Sequence, residues 1–242
     1  MTILEELKEF LKSILYWIYS LVAFSFLFFL FPSENSFAVQ VFQIIKRNLL
    51  PPDVTLVVTN PTSAFVSQVL ISLLLAFLIT FPFFLYKIIQ YLSPALFKHE
   101  RKLILQSLLP SVILFFSGCA FAYYVLIPAT FKILYPYATM LGATPFFLVN
   151  EFISSVLGLM VVTGVMFLLP MFMIVLSLVG LISSDFWIGK WRQALLLFLI
   201  FTAVITPDGT GVTMAILLIP LMTLYLAGCV LTSRFDKSKM DS

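Results

Sequence analysis

Charge is scarce in this sequence. Lysine, arginine, aspartate and glutamate make up 10% of its 242 residues, whereas hydrophobic residues make up 62%, and the mean hydropathy is +1.11. Soluble domains have about 25% charged and about 45–50% apolar residues. A chain of this length cannot hide so much apolar surface in a core of its own, so lipid must cover it. This excludes a soluble fold, and with it a basic face for nucleic acid.

Residues that carry out chemistry are also scarce. The chain has two cysteines and one histidine. Cys119 and Cys229 both lie in apolar stretches without CxxC or metal-ligand spacing, and we interpret them as small buried residues. The apolar stretches contain no HExxH motif, Ser/Lys pair, paired aspartates or Cys/His ligand set. We therefore expect no metal and no cofactor, and an intramembrane enzyme is the least favoured function.

Long uncharged stretches are what the sequence does have. A hydrocarbon core of about 30 Å requires about 20 helical residues. We predict an all-α polytopic membrane protein, with six transmembrane helices in a single membrane domain over residues 1–242 and with short fifth and sixth spans. The predicted spans cover residues 13–31, 62–86, 103–127, 152–183, 193–206 and 212–232.

Prolines and glycines divide these stretches. Pro32 ends the first span, Pro128 lies at the exit of the third, and Pro170 predicts a kink in the fourth. The sequence Pro-Asp-Gly-Thr-Gly at residues 207–211 is a strong turn signal between the last two spans. The fifth span is then only about 20 Å long, which requires a thinned bilayer or a neighbouring helix to shield it.

Two amphipathic segments lie next to the first span. Residues 3–14 have apolar residues at helical spacing, so we predict a helix on the inner membrane surface that runs into the first span. Its early acidic residues differ from a cleavable signal peptide, and we expect the span to be retained. Residues 37–49 predict a short amphipathic helix, stopped by Pro51 and Pro52 and followed by an extended segment at residues 54–58.

The distribution of lysine and arginine predicts the orientation. Six spans place both termini on one side, and eleven basic residues lie on that side against three on the other. Short cytoplasmic segments carry an excess of lysine and arginine, so both termini are predicted to be cytoplasmic. The three basic residues predicted to lie outside are Lys46, Arg47 and Lys132.

A charged island separates the second and third stretches. It is predicted to be a cytoplasmic loop, and its charged residues and histidine are Lys87, Lys98, His99, Glu100, Arg101 and Lys102. The residues around it resemble the TatC family, which has a proline, then Tyr-Gln, then a Phe-x-x-Pro-x-Leu-x-x-x-Glu-[Arg/Lys] pattern at this place. The resemblance covers nearly the whole chain, and the matching loop and structural residues are Pro82, Tyr86, Pro94, Leu96, Arg101, Gly118, Phe121, Tyr123, Pro128 and Pro207.

The resemblance implies a receptor and core component of the twin-arginine translocase, which moves folded proteins across a membrane. Members bind signal peptides with paired arginines at the cytoplasmic face through two acidic residues. These positions fall on Glu100 in the loop and on Glu6 in the N-terminal helix, with Glu5 beside it. The chemistry suits this role, because a guanidinium binds a carboxylate in a bidentate fashion. Without the resemblance, we would interpret Glu100 as a salt-bridge partner of Lys98 or Arg101 in a solvated loop.

The resemblance also implies partners and a location. Small single-span subunits of the TatA/TatB type and further copies of the chain are expected partners, and Leu197 and Phe201 on the short fifth span are candidate contacts for a partner helix. The bacterial inner membrane is the default location, and the sequence does not distinguish it from a thylakoid or mitochondrial membrane. The alternative function is a small solute transporter, although no internal repeat or charged mid-membrane site supports it.

Several family residues are replaced in this chain. Carboxylates inside a membrane are costly and normally functional, yet leucine occupies both of the family's mid-membrane glutamate positions. Whatever those groups do in other members, this chain must do differently or not at all. The replaced positions are Ile3, Lys8, Ser63, Asn150, Leu168 and Leu226.

Overall fold

The computed structural model describes residues 3–32, 35–50, 54–92, 105, 107–140, 142, 146–206 and 211–240, with the backbone alone at residues 3–7, 92, 138–139 and 235–240. The described chain is almost entirely helical. Its helices and strands, numbered along the chain, are α1 (Ile3–Leu30), α2 (Phe37–Leu49), β1 (Thr55–Val57), α3 (Pro61–Leu92), α4 (Leu108–Phe121), a π-helical turn (Ala122–Leu126), α5 (Ile127–Met140), β2 (Phe146–Leu148), α6 (Val149–Phe167), α7 (Leu169–Leu178), α8 (Ser184–Gly189), α9 (Trp191–Ile205) and α10 (Val212–Met240).

Six apolar helical segments in the described part of the chain confirm the predicted fold class. Five are long and apolar enough to cross a membrane, and the sixth, α9, has only 15 residues. At 1.5 Å per residue α9 is about 22 Å long, which is shorter than a hydrocarbon core of about 30 Å. The five long segments are Lys8–Leu30, Pro61–Tyr91, Leu108–Tyr137, Val149–Leu178 and Val212–Arg234.

Several predicted boundaries are confirmed. The N-terminal amphipathic segment and the first span form one helix, which ends two residues before Pro32. The amphipathic helix at residues 37–49 is α2, and Ser36 caps its start, because the Ser36 Oγ accepts from the Val39 N–H at 3.4 Å. The fourth span breaks at Leu168, two residues before Pro170, as a proline inside a helix requires.

The third span is longer than predicted. Pro128 does not end it, because the helical segment continues through Pro128 and Pro136 to Met140. The π-helical turn lies just before Pro128, and the Ile127 N–H donates to the Ala122 carbonyl five residues back. A widened turn accommodates the ring of a proline that cannot take part in a regular helical hydrogen bond.

Two further boundaries were predicted wrongly. The fourth span ends at Leu178 and not at residue 183, because Gly180 has a φ of 76°, a left-handed conformation that stops a helix. The sixth span is not short, since 23 residues of α10 are apolar enough to span a membrane. The helix then continues into a polar segment as far as Met240, and no proline or glycine interrupts it there.

Contacts between residues group the chain into two compact units. Unit 1 comprises Met1–Tyr91 and Phe131–Gly158, and unit 2 comprises Leu92–Thr130 and Leu159–Ser242. Each is described by itself below. The single membrane domain over residues 1–242 stays a prediction.

Aromatic rings hold α1 against α3 in unit 1. The Trp17 ring stacks on Phe84 with 4.3 Å between ring centroids, and the Phe10 ring stacks on Tyr91 at 4.0 Å. Stacked pairs at such distances contribute about 0.5–1.5 kcal/mol each beyond the area that they bury. The two pairs fix how α1 and α3 meet near the start of α1.

A short parallel strand pair lies at the other end of unit 1. β1 pairs with β2 in the register Thr55 with Phe146 and Val57 with Leu148. The extended segment at residues 54–58 is thereby confirmed, whereas β2 was not predicted, since its three residues follow no alternating pattern. The pair joins the segment after α2 to the segment before α6.

Two glycines in unit 2 allow α4 and α6 to cross closely. A Cβ built on Gly164 would lie 2.6 Å from the Cys119 Sγ and 2.8 Å from the Phe115 ring, and one on Gly118 would lie 2.9 Å from the Gly164 Cα. The Cys119 thiol donates to the Met160 carbonyl at 3.5 Å in the same crossing. Small residues of this kind drive helix association in membranes, where lipid is as apolar as the side chains.

We predict that Gly164→Ala destabilises the protein by about 1–3 kcal/mol, the usual cost of overpacking a tight contact. The measurement is the melting temperature of the purified protein in detergent, followed by tryptophan fluorescence. Gly158→Ala on the same helix is the matched control, since a Cβ there meets nothing within 4 Å. Equal melting temperatures for the two variants would contradict the crossing.

Candidate functional site

The described structure brings the start of α1 and the end of α3 to the same end of unit 1. The contact is the Phe10–Tyr91 stack, with 24° between the ring planes. Glu6 precedes Phe10 by four residues, so the two positions share one face of the helix. Tyr91 lies two residues before residue 93, where the segment that carries Glu100 begins. The start of α1, which contains Glu6, therefore contacts the end of α3, which precedes Glu100 in the sequence.

Several predicted site residues lie outside the described residues. These are Pro94, Leu96, Glu100, Arg101 and Pro207. Glu5 and Glu6 lie in the first turn of α1, where the backbone alone is described. The assignment of the acidic residues to peptide binding therefore stays a prediction.

Lys87 lies near the end of α3 and makes contacts within its own helix. Its ammonium donates to the Gln90 Oε1 at 3.3 Å and lies 5.5 Å from the Phe83 ring and 5.9 Å from the Tyr86 ring. A half-buried lysine over aromatic rings is typical of the level where lipid headgroups meet the hydrocarbon. Tyr86, a predicted loop residue, is exposed beside it. The end of α3 thus has the chemistry of a membrane surface.

Pro82 lies inside α3, one turn before Tyr86, and the helix continues through it. The other described residues of the family pattern lie in unit 2. Gly118 forms the α4–α6 crossing described above, and the Phe121 ring lies 5.7 Å from Phe167 on α6. Tyr123 lies in the π-helical turn that precedes Pro128. These unit 2 positions shape the spans.

The short helix α9 has one buried and one exposed face. Phe198 and Thr202 are buried, and the Phe198 ring lies edge-on to Tyr225 at 5.8 Å. On the other face Leu197 is 51% exposed, Phe201 49% and Val204 79%. These exposed residues are apolar, so lipid or another apolar helix must cover them. The two predicted partner-contact residues both lie on this open face.

A chain of hydrogen bonds in unit 2 was missed by the sequence analysis. The Tyr225 hydroxyl donates to the Trp187 carbonyl at 2.6 Å, and the Trp187 Nε1–H donates to the Ser177 Oγ at 3.2 Å. It links α10, the surface helix α8 and α7. Tyrosine and tryptophan favour membrane interfaces, where an apolar ring and a polar tip are both satisfied. This preference was the one indication in the sequence that Trp187 and Tyr225 make such hydrogen bonds. Leu226, which replaces a family glutamate, follows Tyr225 and is exposed.

Within the described residues, no group of three or more histidine, cysteine, aspartate or glutamate residues could hold a metal ion. Cys119 and Cys229 are buried, as predicted. The described part of the site consists of the Phe10–Tyr91 junction and the Lys87 side chain over two aromatic rings.

Known proteins similar to this chain agree with the resemblance seen in the sequence. The model of the family described as "Sec-independent protein translocase protein (TatC)" matches residues 3–220. The Sec-independent protein translocase protein TatC of Cenarchaeum symbiosum is 35% identical over 205 residues, which are 85% of this chain and 78% of that protein. The TatC protein of Aquifex aeolicus is 34% identical over 192 residues, which are 78% of this chain and 79% of that protein.

A crystal structure of the twin-arginine translocase receptor TatC in DDM has the same fold. It superposes with a TM-score of 0.80 at 31% identity and covers 94% of this chain and 99% of that one. The family match over nearly the whole sequence, the two relatives above 30% identity and the shared fold all lead to one conclusion. The chain belongs to the TatC family of Sec-independent protein translocase proteins.

Proposed function

We propose that this protein is the receptor and core component of a twin-arginine translocase, that it binds twin-arginine signal peptides at the cytoplasmic face and that it scaffolds the export of folded proteins. The family match over residues 3–220 supports the system. The Phe10–Tyr91 stack is the observation that supports the site, because it holds the start of α1, which contains Glu6, against the end of α3, nine residues before Glu100 in the sequence.

Two carboxylates suit a ligand with two adjacent arginines. Each guanidinium has five N–H donors in a planar fork, which a carboxylate accepts in parallel, and lysine cannot reproduce this geometry. Near a membrane surface, water competes less well for the pair than it does in bulk solution, so the attraction is stronger. In this proposal Glu6 and Glu100 each bind one arginine, and Glu5 lies beside them.

The proposed orientation places both termini in the cytoplasm. Eleven of the fourteen lysine and arginine residues lie in segments on that side. Trp187, on the surface helix α8, and Trp191, at the start of α9, suit a membrane interface at the same level. We propose the bacterial inner membrane as the location.

The exposed apolar face of α9 suits contact with a helix of a partner subunit. A helix of about 22 Å leaves the hydrocarbon core unspanned by several ångströms, and thinning the bilayer costs free energy with each ångström of mismatch. A single-span subunit packed against Leu197 and Phe201 would shield that region. We propose small subunits of the TatA/TatB type at this face.

We predict that Glu100→Gln with Glu6→Gln weakens binding of a twin-arginine peptide at least tenfold. Each substitution keeps the size of the side chain and removes a charge-assisted hydrogen bond of about 1.5–3 kcal/mol, and about 1.4 kcal/mol corresponds to tenfold. The measurement is a titration of a fluorescent signal peptide into the protein in nanodiscs. Glu9→Gln, one turn from Glu5, is the control and should bind as the unmodified protein does. Unchanged binding in the double variant would refute the assignment.

Breaking the ring stack should weaken binding even though both acidic residues remain. Tyr91→Ala is expected to weaken peptide binding about two- to tenfold, because a stacked pair contributes about 0.5–1.5 kcal/mol. Tyr91→Phe keeps the ring and should bind normally. Tyr16→Ala, which removes an exposed tyrosine on α1, is the matched control. If Tyr91→Ala and Tyr91→Phe behave alike, the stack does not position the site.

Cysteine crosslinking tests the partner face of α9. With Cys119 and Cys229 replaced by alanine, Leu197→Cys and Phe201→Cys should each crosslink to a single-span subunit in membranes. Thr202→Cys is the matched control, because Thr202 is fully buried in the chain and should give no product. Equal crosslinking from residue 202, or none from residues 197 and 201, would count against the assigned face.

A further inference from the structure

Unit 1 contains a cavity beside α2 and the start of α3. The Phe10–Tyr91 stack lies at the opposite ends of α1 and α3. The volume of the cavity is about 360 Å³, which lies within the range of about 300–1,000 Å³ for ligand pockets. Residues of α2, β1 and α3 line it, together with Val58, which follows β1, and the first residue of α6. No function proposed above uses this cavity.

Most of the cavity wall is apolar. Its polar lining residues are Lys46, Ser67 and Gln68, and the rest of the wall is aliphatic or aromatic. The larger apolar side chains in the wall are Val39, Phe42, Leu56, Val58, Ile71 and Val149. A ligand that fits this wall has a long apolar part and a compact polar end.

Hydrogen bonds hold the wall in place. The Gln68 Nε2–H donates to the Ser36 Oγ at 3.0 Å and to the Phe29 carbonyl at 3.5 Å. Ser36 also caps α2, as described above. Gln68 of α3 therefore holds the end of α1 and the start of α2 together. A cavity that is already formed before the ligand arrives lowers the entropic cost of binding.

The polar residues favour a lipid over a peptide segment as the occupant. A peptide brings backbone N–H and C=O groups that must be hydrogen-bonded once they are buried. The Ser67 hydroxyl already donates to the Ser63 carbonyl at 2.8 Å, and the Gln68 amide nitrogen is used as stated above. An acyl chain has no such groups to satisfy, so the wall suits a lipid.

Lys46 determines the charge of the polar end. It lies in the last turn of α2, is exposed, and makes no ion pair with the residues that the structure describes. The neighbouring Arg47 has the same charge and does not line the cavity. A lysine is a compact cation that binds phosphate as a point charge.

We propose that this cavity binds one anionic phospholipid from the leaflet at the α2 end, with an acyl chain in the apolar wall and the phosphate at Lys46. α2 is amphipathic, as helices that lie along a membrane surface are, so in this proposal lipid enters the cavity from the side. The bound lipid ties α2 and β1 to α3. This proposal needs only that the protein is embedded in a membrane, and it is independent of the receptor function.

Native mass spectrometry of the protein, released into detergent from nanodiscs of equal phosphatidylglycerol and phosphatidylcholine with identical chains, tests the proposal. One phosphatidylglycerol should stay bound, at least fivefold enriched over phosphatidylcholine. Lys46→Gln should remove the enrichment, and Arg47→Gln, which removes the same charge one residue away, should keep it. Equal loss of the enrichment in both variants would show that the lipid is attracted by the general positive charge of α2, and it would overturn the proposed site.

A second pair of variants tests the acyl-chain part. Ala64→Phe fills the cavity from α3 and should lose the lipid, whereas Val66→Phe adds the same ring at an exposed position outside the cavity and should retain it. Normal helical circular dichroism in both variants shows that they fold. Retention of lipid in Ala64→Phe, or displacement of the lipid by inorganic phosphate alone, would overturn the proposal.

Discussion

Helix packing without a hydrophobic driving force is the constraint on which this structure depends. Lipid tails are as apolar as the side chains of the spans, so helices gain little by merely hiding apolar surface from lipid. Close approach and ring stacking supply the attraction instead, as at Gly164 against Cys119 and at Trp17 against Phe84. The backbone of each span is satisfied within its own helix, which is why helices account for nearly all of the described chain.

The sequence predicts what depends on local pattern and composition. Spans follow from uncharged length, and the break at Leu168 follows from Pro170. Features set by distant residues or by backbone geometry were not predictable. β2 forms only because β1 lies beside it. The third span continues through Pro128 because of a π-helical turn, which no residue pattern predicts. The end of the fourth span required knowing which glycine adopts a positive φ.

The candidate site likewise has features that the sequence predicts and features that it does not. Motif spacing was sufficient to nominate Glu6 and Glu100, since a family pattern is a local property of the chain. It could not show that Phe10 meets Tyr91, because ring contact depends on how α1 and α3 are rotated about their axes. The structure adds this junction between the start of α1 and the end of α3. The Ser177–Trp187–Tyr225 hydrogen bonds were missed for the same reason.

The loss of the mid-membrane glutamates gives the surface residues more weight. With leucine at positions 168 and 226, a signal helix that enters beside these positions meets no buried carboxylate there. An apolar surface binds different apolar helices almost equally well, so it provides affinity and little discrimination. Discrimination between signal peptides then depends on charged residues at the membrane surface. Under the proposed function, Glu6 and Glu100 supply that charge, and each binds one arginine of the signal peptide.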